Sequence, residues 1–412
     1  MIPPEAAAGI AALPPGPLGV AISGGGDSTA LLLLLHAARR AVLAVTVDHG
    51  LRPESAAEAA AVGALCAARG IPHDTLVWAE GSGSGNLQAR ARQARRRLIA
   101  DWARGRGIGD VALGHTLDDQ AETVLLRLAR GSGVDGLAAM AAVAEGDGVR
   151  WHRPLLGIGR GALRDWLRGE GVAWIDDPSN EDPRFDRVRV RAALPALAGL
   201  GLGARRLAET ARAMGRARAA LEHGMRALGR TCLVDGGAGD LLLDPAGLAG
   251  APEELRLRLL AAALGWVSGE VYRPRLARLA AALAAVEGAR VGHGLTLNGC
   301  VLRAHGGRIA IRREPARAAP AVPLAAGRWD GRWELVGRPP SGEGLTIGAL
   351  GAGGLAKLGG HPPGLAREAL ATTPAIWREG DLVAAPVARP GGDLDFRRIA
   401  AVASPLADAI PR

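Results

Sequence analysis

Lysine is almost absent from this chain. Lys357 is its only lysine among 412 residues, although lysine and arginine together number 50. A Walker A nucleotide loop requires Gly-Lys-Ser/Thr before a helix, and Lys357 does not lie in such a sequence. Aromatic residues are also scarce at 3%, whereas hydrophobic residues make up 48% of the chain. The composition therefore excludes a Walker A loop and predicts helix-rich cores of small aliphatic side chains.

Cysteines are few, and long apolar segments are missing. Cys66, Cys232 and Cys300 lie far apart and form no Cys-x-x-Cys pair. This spacing argues against a disulfide framework, a zinc ribbon or an iron–sulfur cluster, and it suits the reducing cytosol. No secretory signal precedes the first apolar strand, and no stretch of about twenty apolar residues is free of charges or glycine. We therefore expect a cytoplasmic protein with no membrane partner.

Acidic residues are outnumbered by basic ones. The net charge is +9 and the isoelectric point is about 10.9. A basic protein attracts polyanions at long range, so nucleic acid is the expected partner. The arginines are also clustered, in the segments 90–97 and 184–191.

A glycine loop is the most informative motif. An apolar strand ending at Ile22 runs directly into a turn and then into a helix, and the turn has the sequence Ser23, Gly24, Gly25, Gly26, Asp27, Ser28. Glycines allow backbone N–H groups to converge on an anion, and the N-terminus of the following helix favours negative charge. A dinucleotide fingerprint is excluded because its third glycine is replaced by Thr29. The carboxylate of Asp27 would repel a phosphate, so we infer a bound Mg²⁺ between them.

Strands and helices alternate from Leu18 to about Pro195. The predicted strands are Leu18–Ile22, Ala41–Val47, His73–Val77 and Asp110–Leu113, and the helices between them are Ser28–Ala38, Ser55–Arg69 and Asn86–Arg104. This alternation predicts an α/β fold with a doubly wound parallel sheet and a ligand at the carboxyl ends of the strands. We expect three domains: a catalytic domain over 1–204, an α-rich, nucleic-acid-binding domain over 205–315, and a small β-containing module over 325–412.

A second polar motif follows the fourth strand. Thr116 and Asp119 have the spacing of a capping box, so a helix is expected to begin there. His115, Asp119 and Glu122 then lie along one face of its first turns. Two carboxylates and an imidazole at a strand end can hold Mg²⁺ and contact a nucleotide.

The loop sequence resembles that of the N-type ATP pyrophosphatases, and a longer series of motifs resembles the tRNA(Ile)-lysidine synthase family. The series covers about residues 18–191 and consists of 23–28, 47–52, Asn86-Leu87 with Ala91-Arg92 and Arg95, 114–123, 130–133 with Gly136-Leu137, 153–156, and 177–180 with Asp182, Phe185 and Arg187. Two positions depart from the family pattern, since Arg96 replaces an aromatic residue and Val188 replaces an asparagine.

The resemblance implies a reaction and a set of site residues. Such enzymes use ATP and free L-lysine to modify the wobble cytidine of the isoleucine tRNA with a CAU anticodon. The catalytic residues implied are Asp27, Arg95, His115, Asp119 and Glu122. ATP binding is implied for Ser23, Gly24, Gly25, Gly26, Asp27, Ser28, Asp48 and His49, with Mg²⁺ on Asp27 and Asp119. Contacts to tRNA or lysine are implied for Arg130, Ser132, Arg153, Asp177, Arg187 and Arg191.

Three other functions share part of this pattern. A tRNA thiolase of the same superfamily would need reactive or cluster-binding cysteines near the loop. A synthetase of the amidotransferase type would have no need of the arginine clusters. A catalytically silent, ATP-sensing tRNA-binding protein would gain nothing from the carboxylates of Asp27, Asp119 and Glu122. The sequence also leaves the oligomeric state open, with a homodimer among the alternatives.

Overall fold

The computed structural model describes residues 3–50, 54–78, 87–176, 182, 184–288, 290–340, 342–360, 362–391, 393–399 and 406. Contacts divide the chain into two compact units, Met1–Arg218 and Ala219–Arg412. The boundary between them falls inside a long helix, Ala204–Cys232. The predicted division into three domains stays a prediction.

The first unit contains one six-stranded sheet. Its strands are β1 (Leu18–Ala21), β2 (Val42–Asp48), β3 (His73–Val77), β4 (Asp110–Leu113), β5 (Val143–Gly146) and β6 (Val149–His152). The strand order is β3-β2-β1-β4-β6-β5, and every pair is parallel except β5 with β6. The order reverses between β1 and β4, and the crevice at such a switch point is where open α/β sheets bind ligands.

Helices cover both faces of this sheet. The helices of this part of the chain are α1 (Pro4–Ala11), α2 (Gly26–Ala37), α3 (Ser55–Ala67), α4 (Leu87–Gly105), α5 (Leu117–Ala129), α6 (Val134–Leu137), α7 (Arg160–Gly169), α8 (Asp186–Gly199) and α9 (Ala204–Cys232), of which α6, α8 and α9 pack with α5 rather than with the strands. Successive β1 side chains point to opposite faces, so Val20 packs with α2, α3 and α7, whereas Ala21 packs with α4. The doubly wound α/β fold is confirmed. The helix predicted from Ser28 begins earlier, at Gly26, so the last glycine of the loop is its first residue.

The second unit is built on antiparallel sheets. A five-stranded sheet, in the order β7-β8-β11-β10-β9, consists of β7 (Leu233–Asp235), β8 (Leu241–Leu243), β9 (Leu295–Leu297), β10 (Cys300–His305) and β11 (Arg308–Arg313). Two apolar helices, α10 (Glu253–Ser268) and α11 (Leu276–Glu287), share one hydrophobic core with it.

Two smaller sheets follow along the chain, as expected for a β-containing module. The first has the order β12-β15-β16-β17 and consists of β12 (Val322–Pro323), β15 (Leu345–Ala349), β16 (Pro374–Arg378) and β17 (Asp381–Ala384); the second has the order β13-β14-β18 and consists of β13 (Arg328–Trp329), β14 (Trp333–Gly337) and β18 (Leu394–Arg398). The short helices α12 (Gly351–Lys357) and α13 (Arg367–Leu370) complete this part. Among all the helices so described, none has the length and apolar character needed to cross a bilayer.

Candidate active site

The glycine loop joins β1 to α2 and is closed by hydroxyl groups. The Ser28 hydroxyl accepts a hydrogen bond from the Ser23 backbone N–H at 3.1 Å and donates to the Gly25 carbonyl at 3.0 Å. Gly24 has a φ of +82°, a left-handed conformation that favours glycine. The first N–H groups of a helix have no partner within the helix, so those at the start of α2 are available to an anion.

Gly114 allows the end of β4 to approach this loop closely. A Cβ atom at this position would lie 2.9 Å from the Ser28 backbone N and Cα and 3.0 Å from the Asp27 carbonyl carbon. Such distances are shorter than real Cβ contacts, and the atoms met are backbone atoms. The absence of a side chain at Gly114 therefore sets the distance between the glycine loop and the residues that follow β4.

The helix after β4 begins with the predicted capping box. The Thr116 hydroxyl accepts from the Asp119 N–H at 3.4 Å, and Asp119 Oδ2 accepts from the Thr116 N–H at 2.8 Å and from its hydroxyl at 2.9 Å. These bonds satisfy two N–H groups that the helix itself leaves unpaired. They fix the Asp119 carboxylate at the strand end through Oδ2 and leave Oδ1 for another partner.

Arg160, at the start of α7, connects the two motifs. Its Nε donates to Asp27 Oδ2 at 2.9 Å, its Nη2 to Asp119 Oδ1 at 3.1 Å, and its Nη1 to Glu122 Oε1 at 3.5 Å. Burial acts to lower the pKa of Arg160, but the hydrogen bond to Asp27 and the three negative charges outweigh it and raise that pKa. One guanidinium therefore holds the three predicted catalytic carboxylates together.

Glu122 is the most deeply buried of these three carboxylates. Its side chain is wholly inaccessible to solvent and also accepts hydrogen bonds from Arg191, at 2.5 Å from Nε and 3.4 Å from Nη2. Both carboxylate oxygens are thus engaged by arginines. To contact a lysine amine, Glu122 would have to exchange one of these partners for it.

These groups border a cavity of about 630 Å³ with an unbalanced charge. Among the residues that the structure describes, seven arginines and three aspartates line it. Arg92, Arg95 and Arg153 lie on its wall, and although Arg92 and Arg95 keep exposed surface, partial desolvation in the cavity and repulsion from neighbouring arginines lower the pKa of each. Arginines that remain charged while repelling one another are stabilised by an anion, so the cavity suits a polyphosphate or an RNA backbone.

Two titratable groups in the cavity are strongly perturbed. Burial, together with the charges of Arg153, Arg92 and Arg187, lowers the pKa of His115 to about 4. In the substrate-free protein this imidazole is therefore neutral at pH 7 and offers a hydrogen bond rather than a positive charge. Burial raises the pKa of Asp27, and Arg160 offsets only part of that rise.

A second cavity of about 390 Å³ adjoins the first. The two share Ser23, Gly25, Arg92, Arg95 and Ile175 in their linings, and His49 belongs to the second only. It opens beside the end of β2. Asp48 at that end accepts from the Ser55 hydroxyl at 2.6 Å and from the Gly50 N–H at 3.0 Å, and both bonds lower the pKa of its carboxyl group.

The predicted site residues are distributed as follows. Most line the two cavities: Ser23, Gly25, Gly26, Asp27, Ser28, His49, Arg95, His115, Asp119, Arg153 and Arg191. Glu122 contacts the first cavity through arginines, and Gly24 contributes its carbonyl to the Ile175 N–H at 3.0 Å. Asp48, Arg130, Ser132 and Arg187 do not belong to either lining, and exposed Arg130 pairs with Asp186 at 3.4 Å. Asp177 lies outside the described residues.

Sequence reasoning missed Arg160 and Arg164. One signal for Arg160 was present, because it is the first residue of a helix whose first turn contains no acidic residue. A cation is unfavourable at a helix N-terminus, so an arginine there implies acidic partners elsewhere in the fold. Arg164, one turn later, pairs with Asp176 at 2.9 Å on the rim of the cavity.

Comparisons with known proteins show which family the chain resembles. A family model described as a PP-loop domain matches residues 8–197. The tRNA(Ile)-lysidine synthase of Ruegeria pomeroyi is 48% identical over 385 residues, which cover 92% of this chain and 90% of that protein. The enzyme of the same name from Mesorhizobium japonicum is 40% identical over 414 residues, with 95% and 88% covered. Among solved structures, the U34-tRNA thiolase NcsA of Methanococcus maripaludis, determined with its [4Fe-4S] cluster, has a TM-score of 0.44 and 18% identity over 52% of this chain and 78% of that one.

The cysteines do not fit a thiolase. Cys66, Cys232 and Cys300 are all buried and unpaired, and none lines either cavity. The glycine loop, the carboxylates at the switch point and the arginine wall instead accompany extensive identity to the lysidine synthases. The chain belongs to the tRNA(Ile)-lysidine synthase family.

Proposed function

We propose that this protein is a ligase that attaches lysine to C2 of the wobble cytidine of the CAU-anticodon isoleucine tRNA, at the expense of ATP. The observation that carries the proposal is the first cavity. There the anion-binding loop, the carboxylates of Asp27 and Asp119 and the arginine wall meet at the switch point of the sheet. Family membership agrees with it.

Two steps in one cavity account for the chemistry. The cytidine O2 attacks the α-phosphorus of ATP, forming an O–P bond while pyrophosphate leaves. The lysine amine then attacks C2, forming a C–N bond as the C2–O bond breaks and AMP leaves, and the amine loses its protons to solvent or to a nearby base. Neither step needs an enzyme nucleophile, so the protein contributes positioning and charge stabilisation.

The residues divide between the two ends of ATP. The N-terminus of α2, with Ser23 and Ser28, would hold the departing pyrophosphate through backbone N–H groups and hydroxyls. Arg95, with neutral His115 as a hydrogen-bond donor, would face the α-phosphate. The second cavity, lined by His49, is where we place the nucleoside.

Asp27 and Asp119 fit a magnesium ion. Asp27 Oδ1 is buried without a hydrogen-bond partner, and a carboxylate oxygen in that state is a ready ligand for a hard cation. Mg²⁺ in nucleotide sites is commonly held by one or two carboxylates and the substrate phosphates. When bound, the ion would neutralise charge on the phosphates.

The tRNA and lysine contacts stay proposals. Arg153 and Arg187 would meet the RNA near the anticodon, and Arg130 and Ser132 would lie further out along the same approach. The arginines of α9 are candidates for phosphate contacts elsewhere on the tRNA. Unpaired, buried cysteines agree with the cytoplasmic location we propose.

Variants of the two aspartates test the proposal. Release of AMP and pyrophosphate is measured with a CAU-anticodon tRNA transcript, with and without lysine. Asp27→Ala and Asp119→Ala are expected to lose lysine-dependent AMP formation while retaining tRNA binding. Asp165→Asn is the matched control, because this exposed α7 carboxylate pairs with Arg168 and lines neither cavity. AMP release without tRNA would contradict the proposal and favour a small-molecule synthetase.

A further inference from the structure

Arg160 occupies the gap between the two proposed magnesium ligands. Its guanidinium contacts Asp27 and Asp119 on different nitrogens, at 2.9 and 3.1 Å. The side chain is mostly buried, with 19% exposed, so these contacts are shielded from water. A guanidinium cation therefore already contacts both carboxylates proposed to hold Mg²⁺.

The charge balance shows what this cation does. Asp27, Asp119 and Glu122 carry three negative charges, and within the described part of the chain Arg160 and Arg191 form the ion pairs with them. The cluster therefore has a net charge of about −1, and removing Arg160 would leave −2 at the same place. Like charges held close together in a partly buried site are unfavourable unless a cation compensates them.

We propose that Arg160 is an internal cation that holds the gap between Asp27 and Asp119 in the substrate-free protein and leaves it when Mg²⁺ enters. This inference rests on the proposed function, since it takes the metal site from there. A departing guanidinium needs a new partner, and the phosphates of ATP supply one, because arginine binds phosphate with charge-assisted hydrogen bonds. Metal and nucleotide should therefore bind cooperatively.

The coupling between metal binding and nucleotide binding can be measured without any catalytic turnover. If nucleotide raises the affinity for the metal, the metal raises the affinity for nucleotide by the same factor. In the absence of nucleotide Arg160 competes with the ion, so the wild-type protein should bind a divalent cation weakly. Replacing Arg160 by an uncharged residue removes the competitor and one positive charge within contact distance of both ligands.

The test is titration with Mn²⁺ in the absence of nucleotide, followed by the electron paramagnetic resonance signal of the free ion. Mn²⁺ is the probe because it takes the same oxygen ligands as Mg²⁺. The proteins are the wild type, Arg160→Gln, Arg164→Gln and the double variant Arg160→Gln with Asp27→Asn. Arg164→Gln is the matched control, since it removes a positive charge from the same helix and cavity but forms its ion pair with Asp176.

Arg160→Gln is expected to bind Mn²⁺ at least about tenfold more tightly than the wild type, because one competing charge at contact distance is removed. Arg164→Gln should show a much smaller gain, and Asp27→Asn should abolish the gain of Arg160→Gln. If Mn²⁺ affinity rises equally in both arginine variants, or does not rise in Arg160→Gln, the role proposed for Arg160 is wrong, whereas the proposed metal site is unaffected. Tight Mn²⁺ binding that survives Asp27→Asn would instead contradict the proposed metal site.

Arg160→Lys keeps the inference testable if Arg160→Gln does not fold. A single ammonium cannot reach three carboxylates as the guanidinium does, so Mn²⁺ affinity should lie between those of the wild type and Arg160→Gln. The thermal midpoint of Arg160→Lys should also rise more on adding Mn²⁺ than that of the wild type, because a ligand stabilises the state that binds it. An Arg160→Lys protein that matches the wild type in both measurements would refute the competition.

Discussion

Replacing Gly114 by alanine probes how closely the glycine loop must approach the end of β4. The added Cβ would stand 2.9 Å from two Ser28 backbone atoms and 3.0 Å from the Asp27 carbonyl carbon. Ordinary van der Waals contacts begin at 3.4 Å, so the backbone of the loop would have to move by about 0.5 Å. The three nearest atoms all belong to the backbone, so the shift cannot be absorbed by rotating a side chain.

The magnitude follows from overpacking and from misplacement of the loop. Inserting a methyl group into a packed site typically costs about 1–3 kcal/mol of stability. A displacement of the N–H groups of α2 would also weaken their contact with the departing pyrophosphate. Because misplacement by about 1 Å can reduce turnover about a hundredfold, we expect Gly114→Ala to lose roughly tenfold to a hundredfold in kcat/KM for ATP.

The assay is steady-state AMP release with saturating tRNA and lysine, alongside the thermal midpoint. Gly109→Ala is the matched control, because it lies just before the same strand, has no positive φ, and its Cβ would meet nothing within 4 Å. The control should keep wild-type activity. A Gly114→Ala enzyme as active and as stable as Gly109→Ala would refute the argument that this close approach positions the loop.

Three further predictions concern charge. Glu122→Gln should lower the free energy of unfolding, measured by urea titration, by about 1–3 kcal/mol. The loss is smaller than for a fully buried ion pair because the arginine partners of Glu122 are partly exposed. A change below about 0.5 kcal/mol would contradict this prediction. The pKa of His115 is about 4 in the folded protein and 6.5 in the unfolded chain, so between these pH values the unfolded chain binds more protons and the folded state loses stability as pH falls. In His115→Gln the free energy of unfolding should therefore change less with pH over this range. An unchanged dependence on pH would contradict this prediction. Replacing the exposed Arg205 and Arg212 of α9 by glutamine should reduce the slope of the logarithm of the tRNA-binding constant against the logarithm of salt concentration by about one to two. An unchanged slope would show that these arginines of α9 do not contact the tRNA phosphates.

Local spacing allowed much of the fold to be predicted. The alternation of apolar segments placed β1 and β4, and Thr116 with Asp119 placed the start of α5, because strand burial and helix capping depend on neighbouring residues. The series of motifs also indicated which residues meet at the switch point. Ser23, Asp27 and His115 line one cavity, as carboxyl ends of adjacent parallel strands require.

The role of Arg160 could not be predicted in this way. It lies 133 residues from Asp27 along the chain, so only the path of the fold brings the two together. The neutral state of His115 depends on burial and on arginines from three other segments, and no short sequence window contains that information. Pairings of this kind are set by tertiary structure, whereas caps and strands are set locally.

The central claim is that ATP activates the tRNA base before lysine attacks it. The most direct measurement uses ATP labelled at the α-phosphate with CAU-anticodon isoleucine tRNA, stopped in acid before and after lysine is added. We predict that label accumulates on the RNA without lysine and is released as AMP when lysine is supplied. Label that never joins the RNA, or AMP that forms equally well without tRNA, would contradict the account.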